Sequence, residues 1–338
     1  MSEIRYDRLH DIHVIIAPER LRHPDDTESF EKVTPEPYSS EPCPFCEGNE
    51  SMTPPEIYAL RNERSFPNDK GWKTRVVPNL FKAVQIETPP NHHCGLFEHW
   101  EGFGAHEVII DTPVHKTSMC EWGEEDVIVW LKTLSQRVSD LRHDHRIVYI
   151  SLFKNEGKNA GATMSHCHTQ LIGLPIIPKS IHELFRRSWE YYHTTSQALM
   201  ESILSHEEET QSRIIEKVGN FTSFCPYASG YPFEVMISSI TKTGQIDTLS
   251  SEEVESIASL LVSTFKRLKR QLGIFHFNLW ISTPSLNDDI DSSEICRFTI
   301  RIMPRLYRHG GFENTTDILI NPVSPELAAK LLRESNHE

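Results

Sequence analysis

No run of apolar residues in the 338-residue chain approaches the length of a membrane span, and Met1-Ser2-Glu3-Ile4-Arg5 opens it without an apolar leader core. Cysteine is sparse as well. Seven residues, an odd number with two of them in a Cys-x-x-Cys, argue against a secreted disulfide framework. Positive charge is the third shortage: Lys and Arg number 34 against 48 Asp and Glu, a net charge of −14. Neither nucleic acid nor an anionic membrane is an expected partner for such a field. The expected compartment is the cytoplasm. At this length a core needs no disulfide support, and the hydrophobic share of 38% is ordinary for a globular chain.

Histidine is abundant by contrast, at 18 residues, so only histidines with telling spacing carry weight. Residues 18–56 are rich in Pro, Glu and Ser and read as a loop-rich arm. Beyond it the chain repeats itself. His106-Glu107-Val108-Ile109-Ile110 is echoed 127 residues later by Phe233-Glu234-Val235-Met236-Ile237, both strand-like. Helical spacing follows each: Ile128, Leu131, Leu134, Val138 and Leu141 in 124–142, then Val254, Ile257, Leu261, Phe265, Leu268 and Leu272 in 250–272. Ser250 and Glu253 form a capping box at the second helix. An apolar strand comes next in each copy, 147–152 and 275–280, and a further strand closes it, 168–172 and 298–302. The expected fold is α+β: two related halves, 1–195 and 215–338, with antiparallel sheets and packed helices, joined by a helical stretch near 180–215.

Chemistry concentrates in Ser165-His166-Cys167-His168-Thr169-Gln170. Strand alternation places His166, His168 and Gln170 on one face. Three polar groups there are costly unless satisfied. A neutral imidazole is a good nucleophile, and its phosphoramidate passes a phosphoryl group onward. Gln170 can donate to a phosphate oxygen as charge develops. The preceding Gly157–Thr163 segment, including Gly161, is small enough for a phosphate to approach backbone N–H groups. Pro42-Cys43-Pro44-Phe45-Cys46 is a zinc clasp rather than a redox pair, since its setting is a Pro-rich arm and not a βαβ unit. Its two thiolates need two further ligands, from His115, His166 or the His92-His93-Cys94 cluster.

Together these residues resemble the galactose-1-phosphate uridylyltransferase family, within the histidine-triad superfamily, over nearly the whole chain. The resemblance runs through Val14–Arg20, Cys43–Glu50, Thr53–Glu56, Arg75–Phe81, His106–Ile110, His115, Phe153–Asn155, His166–Gln170, Pro304–Leu306 and Gly311–Glu313. It implies that Cys43, Cys46, His115 and His166 hold one structural zinc per chain. It implies that His168 becomes nucleotidylated and that Gln170 binds phosphate. Asn79, Phe81 and Asn155 are then nucleotide contacts, Arg20 a phosphate-side arginine and Glu313 a sugar contact, and Gly161 and Thr163 of the small segment are further candidate substrate contacts. Members are typically homodimers of carbohydrate and galactose metabolism.

Departures from the pattern are informative. Leu80 stands where better-studied members carry an aspartate, and Ala162-Thr163 where they carry Cys-Ser. Asn314–Asn321 offers no counterpart of the hexose-reading glutamine. Ser282, Arg297 and Thr299 occupy the places of a second metal's ligands, so no second metal is expected and Glu183 is free for ordinary contacts. The resemblance implies ping-pong transfer of UMP between a UDP-hexose and a hexose 1-phosphate. The Ser-His-x-His-x-Gln strand also fits a branch moving AMP from ADP-glucose, or from a dinucleoside polyphosphate, to phosphate. A catalytically silent nucleotide-binding protein is the reading from another class, and intact His168 and Gln170 oppose it. A zinc hydrolase is opposed by four protein ligands, which leave no open coordination position.

Overall fold

The computed structural model describes residues 2–20, 42–286 and 294–335; residues 21–41 of the expected loop-rich arm lie outside them. The chain opens with a hairpin, β1 (Glu3–Asp7) and β2 (Ile12–Ile16). Next come β3 (Tyr58–Arg61), β4 (Trp72–Pro78), the short β5 (His92–His93) and β6 (His99–Trp100), and β7 (Ala105–Ile110). Helix α1 (Glu124–Leu141), β8 (Tyr149–Glu156) and β9 (His168–Leu174) complete the first half. Helices α2 (Lys179–Thr195) and α3 (Leu199–Thr210) form the expected helical connection. The second half holds β10 (Ile214–Val218), β11 (Phe221–Phe224), β12 (Val235–Ser239), α4 (Ser251–Leu272), β13 (Phe277–Ile281) and β14 (Thr299–Pro304). Helix α5 (Gly311–Thr316), β15 (Leu319–Asn321) and α6 (Pro325–Glu334) close the chain.

The fold is α+β and built on antiparallel sheet. One sheet runs β10-β11-β12-β14-β13-β8-β9-β7-β4-β3, so each half supplies five strands in the same relative order. The halves meet where β13 pairs with β8, Asn278 opposite Asn155. In both halves the helix lies between the third and fourth strands and covers one face, where Ile109, Leu152 and Leu171 pack with Leu131, Leu134, Ile237, Leu261 and Ile302. The capping box at α4 forms as expected: Glu253 N donates to Ser250 Oγ, and Ser250 N to Glu253 Oε2. The N-terminal hairpin sits against the second half, with β2 parallel to β15.

The strand repeat differs in one respect from the sequence match. Ile110 faces His168 in the first half, and Ser238 faces Thr299 in the second. Structural equivalence is therefore shifted by one residue from the 127 offset, and Glu107 and Glu234 lie on opposite faces of the sheet. Glu107 is paired with Arg137 of α1 at 2.8 Å, whereas Glu234 accepts from Arg301 Nε at 2.5 Å. Phe233, at φ 57°, is where the backbone departs from a regular strand.

One buried carboxyl gives the fold a pH signature. Glu156, at the end of β8, is buried and accepts from Met119 N at 2.9 Å. Burial outweighs the nearby Lys154 and pushes its pKa from 4.5 up to about 7. The native state thus keeps a proton that the unfolded chain releases, and stability falls as pH rises through that window. Glu156→Gln is expected to flatten this slope and add about 2 kcal/mol at pH 8. Denaturant titrations at pH 5 and pH 8 measure it; an unchanged difference between the two pH values would refute the assignment.

Candidate active site

The face of the sheet away from α1 and α4 carries the polar strand. Edge-on packing of Phe45 begins the site: its ring centroid lies 6.1 Å from that of His166 and 5.5 Å from that of His168. Phe45 also packs on the cluster of Trp72, Val77, Val108 and Ile110, which docks the Cys-Pro-Phe-Cys turn onto this face. That docking brings Cys43, Cys46, His115 and His166 together, with one donor atom from each within 4.8 Å of all the others. The His92-His93-Cys94 alternative is not part of this group. His92 instead stacks on Trp100 at 4.1 Å and bonds Glu98 at 2.6 Å on an exposed hairpin, where His92, Cys94 and Glu98 form a separate exposed cluster.

The donor set fits a tetrahedral zinc. Bonds of about 2.3 Å to sulfur and 2.0–2.1 Å to nitrogen separate sulfur and nitrogen ligands by about 3.5 Å. Here Cys43 Sγ and Cys46 Sγ each lie 3.6 Å from His166 Nδ1, and Cys46 Sγ lies 3.4 Å from His115 Nδ1. His166 Nε2 donates to the Thr112 carbonyl at 2.8 Å, which leaves Nδ1 as the ligand atom. Burial pulls the His166 pKa down to about 4, so the ring is neutral, as a ligand must be. Burial and neighbouring Cys43 push the Cys46 thiol up to about 11, the reverse of a reactive redox thiol.

His168 begins β9 and is 6% exposed. Its Nδ1 donates to the His166 carbonyl at 2.9 Å, so Nε2 keeps the lone pair. Burial, then the charge of Lys154, lowers its pKa and keeps the ring neutral at pH 7. Lys154 is wholly buried, donating to Asp111 Oδ2 at 2.8 Å and to the His168 carbonyl at 3.2 Å. The His168 backbone is therefore held from beneath by an ion pair, a support absent from the sequence reading.

Alternation puts Gln170 and Asn155 on the same face as His168, since Gln170 faces Phe153 across β8 and β9. Gln170 Oε1 lies 3.2 Å from His106 Nε2, and Asn79 Nδ2 lies 3.0 Å from the same nitrogen. Asn155 Oδ1 accepts from Asn278 Nδ2 at 2.7 Å, while Asn278 also donates to the Ala160 carbonyl at 2.8 Å and accepts from Arg305. The second half thus braces the first half's loop. Gly157 is required there, because a Cβ would sit 1.8 Å from the His276 ring. Gly161 is exposed in a left-handed turn, and Thr163 lines a 360 Å³ cavity with Lys158, Ser165 and His276.

Leu80 and Phe81 are 70% and 85% exposed, with Phe81 N donating to Asn79 Oδ1 at 2.9 Å. Arg20 and Glu313 both act electrostatically on Tyr307. Glu313 caps its own helix through Gly310 N at 2.9 Å. In the second half, Arg297 pairs with Glu201 at 2.9 Å and Arg301 with Glu234, so this strand is built on ion pairs. Glu183 pairs with Arg186 at 2.8 Å. Sequence reasoning missed His106, Lys154, Asp111 and Asn278 as site residues. His106 and Lys154 stood inside quoted motifs, but nothing in spacing reveals their partners.

Comparison with known proteins then adds relatives. Residues 1–178 match the family model described as galactose-1-phosphate uridyl transferase, N-terminal domain. ADP-glucose phosphorylase of Arabidopsis thaliana is 30% identical, over 98% of this chain and 92% of the relative. Galactose-1-phosphate uridylyltransferase of Thermotoga maritima is 26% identical over the full length of both. The crystal structure of an Arabidopsis thaliana ADP-glucose phosphorylase with bound ADP-glucose superposes with a TM-score of 0.82 at 27% identity, covering 99% of each chain.

Proposed function

The chain belongs to the galactose-1-phosphate uridylyltransferase family, and on that premise we propose how its site moves a nucleotide. It is a uridylyltransferase-like nucleotidyltransferase. The observation that carries the mechanism is the Nδ1 bond of His168 to the His166 carbonyl, which leaves a buried, neutral Nε2. In the proposed reaction Nε2 attacks the α-phosphorus of a nucleotide sugar. The bond to the bridging oxygen breaks and hexose 1-phosphate leaves with that oxygen. A phosphate oxygen of the acceptor then attacks the phosphoramidate and frees His168. Gln170 donates to the non-bridging oxygen as its charge grows. Asn79, Phe81, Asn155, Gly161 and Thr163 are proposed nucleotide contacts, with Arg20 on the phosphate side and Glu313 toward the sugar.

Zinc at Cys43, Cys46, His115 and His166 would supply a structural pin between the arm and the His168 strand. We place the halves at 1–195 and 215–338, a reading supported by the repeated strand order. A homodimer is proposed on the exposed Leu80, Phe81, Leu96 and Phe97, 70–93% accessible in one chain. Among the described residues no helix is long and apolar enough to cross a membrane.

The first reading of the substrate is UMP moving between a UDP-hexose and a hexose 1-phosphate. A second, AMP moving from ADP-glucose to phosphate, is favoured by the plant relative's identity and by Leu80 in place of a charged neighbour to the base. A panel of UDP- and ADP-sugars with galactose 1-phosphate or phosphate as acceptor separates them. The expected result is exchange with at least about tenfold preference for one base, about 1.4 kcal/mol. Absence of exchange from every nucleotide sugar would remove both readings.

A further inference from the structure

His106 is the residue whose chemistry the mechanism above leaves unused. It lies on β7, two residues from Val108, which pairs with Gln170. Its ring meets three polar groups: Ala83 N at 3.0 Å from Nδ1, and Gln170 Oε1 and Asn79 Nδ2 at 3.2 and 3.0 Å from Nε2. A backbone N–H can only donate, so Nδ1 is an acceptor. The proton of the neutral ring is therefore on Nε2. From that position it can donate to Gln170 Oε1. Because that nitrogen carries the proton it cannot accept from Asn79 Nδ2, which is only a donor, and Asn79 Oδ1 is taken by Phe81 N, so Gln170 Oε1 is the acceptor open to the Nε2–H.

The main-chain N–H of Ala83 thus decides the orientation of the Gln170 amide. Its oxygen is turned to His106, and its NH₂ is left for the phosphate. With the amide reversed, the Nε2–H would face N–H groups from both Asn79 and Gln170 and would have no acceptor among these partners. We infer that His106 is a positioning residue: through its Nε2–H it fixes Gln170 with the NH₂ toward the scissile phosphate, and it ties this orientation to the nucleotide-side segment 79–83. This rests on the proposed role of Gln170.

The test follows transfer of the nucleotide to the full-length protein under single turnover, by quenched intact mass, with UDP-glucose and ADP-glucose and no acceptor. His106→Ala, His106→Gln, Gln170→Ala and the double variant His106→Ala/Gln170→Ala are compared, with zinc content and melting temperature recorded. His106→Ala is expected to slow the transfer step about tenfold, with apparent substrate affinity changed less than about threefold. His106→Gln keeps a donor at the position and should recover most of the rate. The double variant should be no slower than Gln170→Ala, because His106 acts through that amide. Effects that multiply in the double variant, or a normal rate in both His106 variants beside a slow Gln170→Ala, would overturn the inference. A normal rate in Gln170→Ala would instead overturn the reading of Gln170 itself.

Discussion

His168→Ala should lose at least about 10⁴-fold in nucleotidyl exchange while keeping its fold and its metal. The size follows from the role. Removing a nucleophile deletes the covalent route, and what survives is binding plus whatever direct attack the acceptor manages unaided. Retention of fold is expected because the ring's own bond is local, reaching only the His166 carbonyl two residues away. Lys154 holds the His168 backbone independently of the side chain, through a bond to its carbonyl. His168→Gly opens the same space and should regain part of the activity with added imidazole. Steady-state exchange and circular dichroism on the three proteins decide the matter. An alanine variant within tenfold of the parent would show that His168 is not the nucleophile.

Cys43→Ala should act through a different property. Its sulfur is one of the four donor atoms that could hold the proposed zinc, and the remaining three donors cannot close a structural zinc site. Loss of the ion would release the Cys-Pro-Phe-Cys turn, and with it Phe45, which packs on both histidine rings. The expected cost is at least about 3 kcal/mol, since metal binding energy is folding energy at such a site. Bound zinc, measured by elemental analysis, should fall from one per chain toward zero, with activity declining as the melting temperature falls. Full zinc occupancy in this variant would move the ligand set elsewhere.

Spacing carries part of these expectations, and the family resemblance supplies the individual roles. A His-x-His-x-Gln strand fixes which side chains share a face, and a Cys-x-x-Cys fixes two ligands on one turn. The repeated strand order also follows from two amphipathic helices at matching places. Register is less legible. The second strand is shifted by one residue against the sequence match, and pairing Glu107 with Glu234 conceals that they face opposite ways. The supporting polar network is hidden for another reason. Lys154 with Asp111, His106 with Ala83, and Asn155 with Asn278 are long-range pairs set by sheet order, which local pattern does not carry. Arg20 and Glu313, named by resemblance, share the surroundings of Tyr307 instead.

The central claim is a covalent nucleotidyl-His168. The most direct measurement incubates the protein with each nucleotide sugar and no acceptor, then maps the mass shift by peptide sequencing under mild base. One nucleoside monophosphate per chain, acid-labile and located on His168, is the predicted result. Robust exchange with no adduct at His168, or an adduct on another residue, would contradict it.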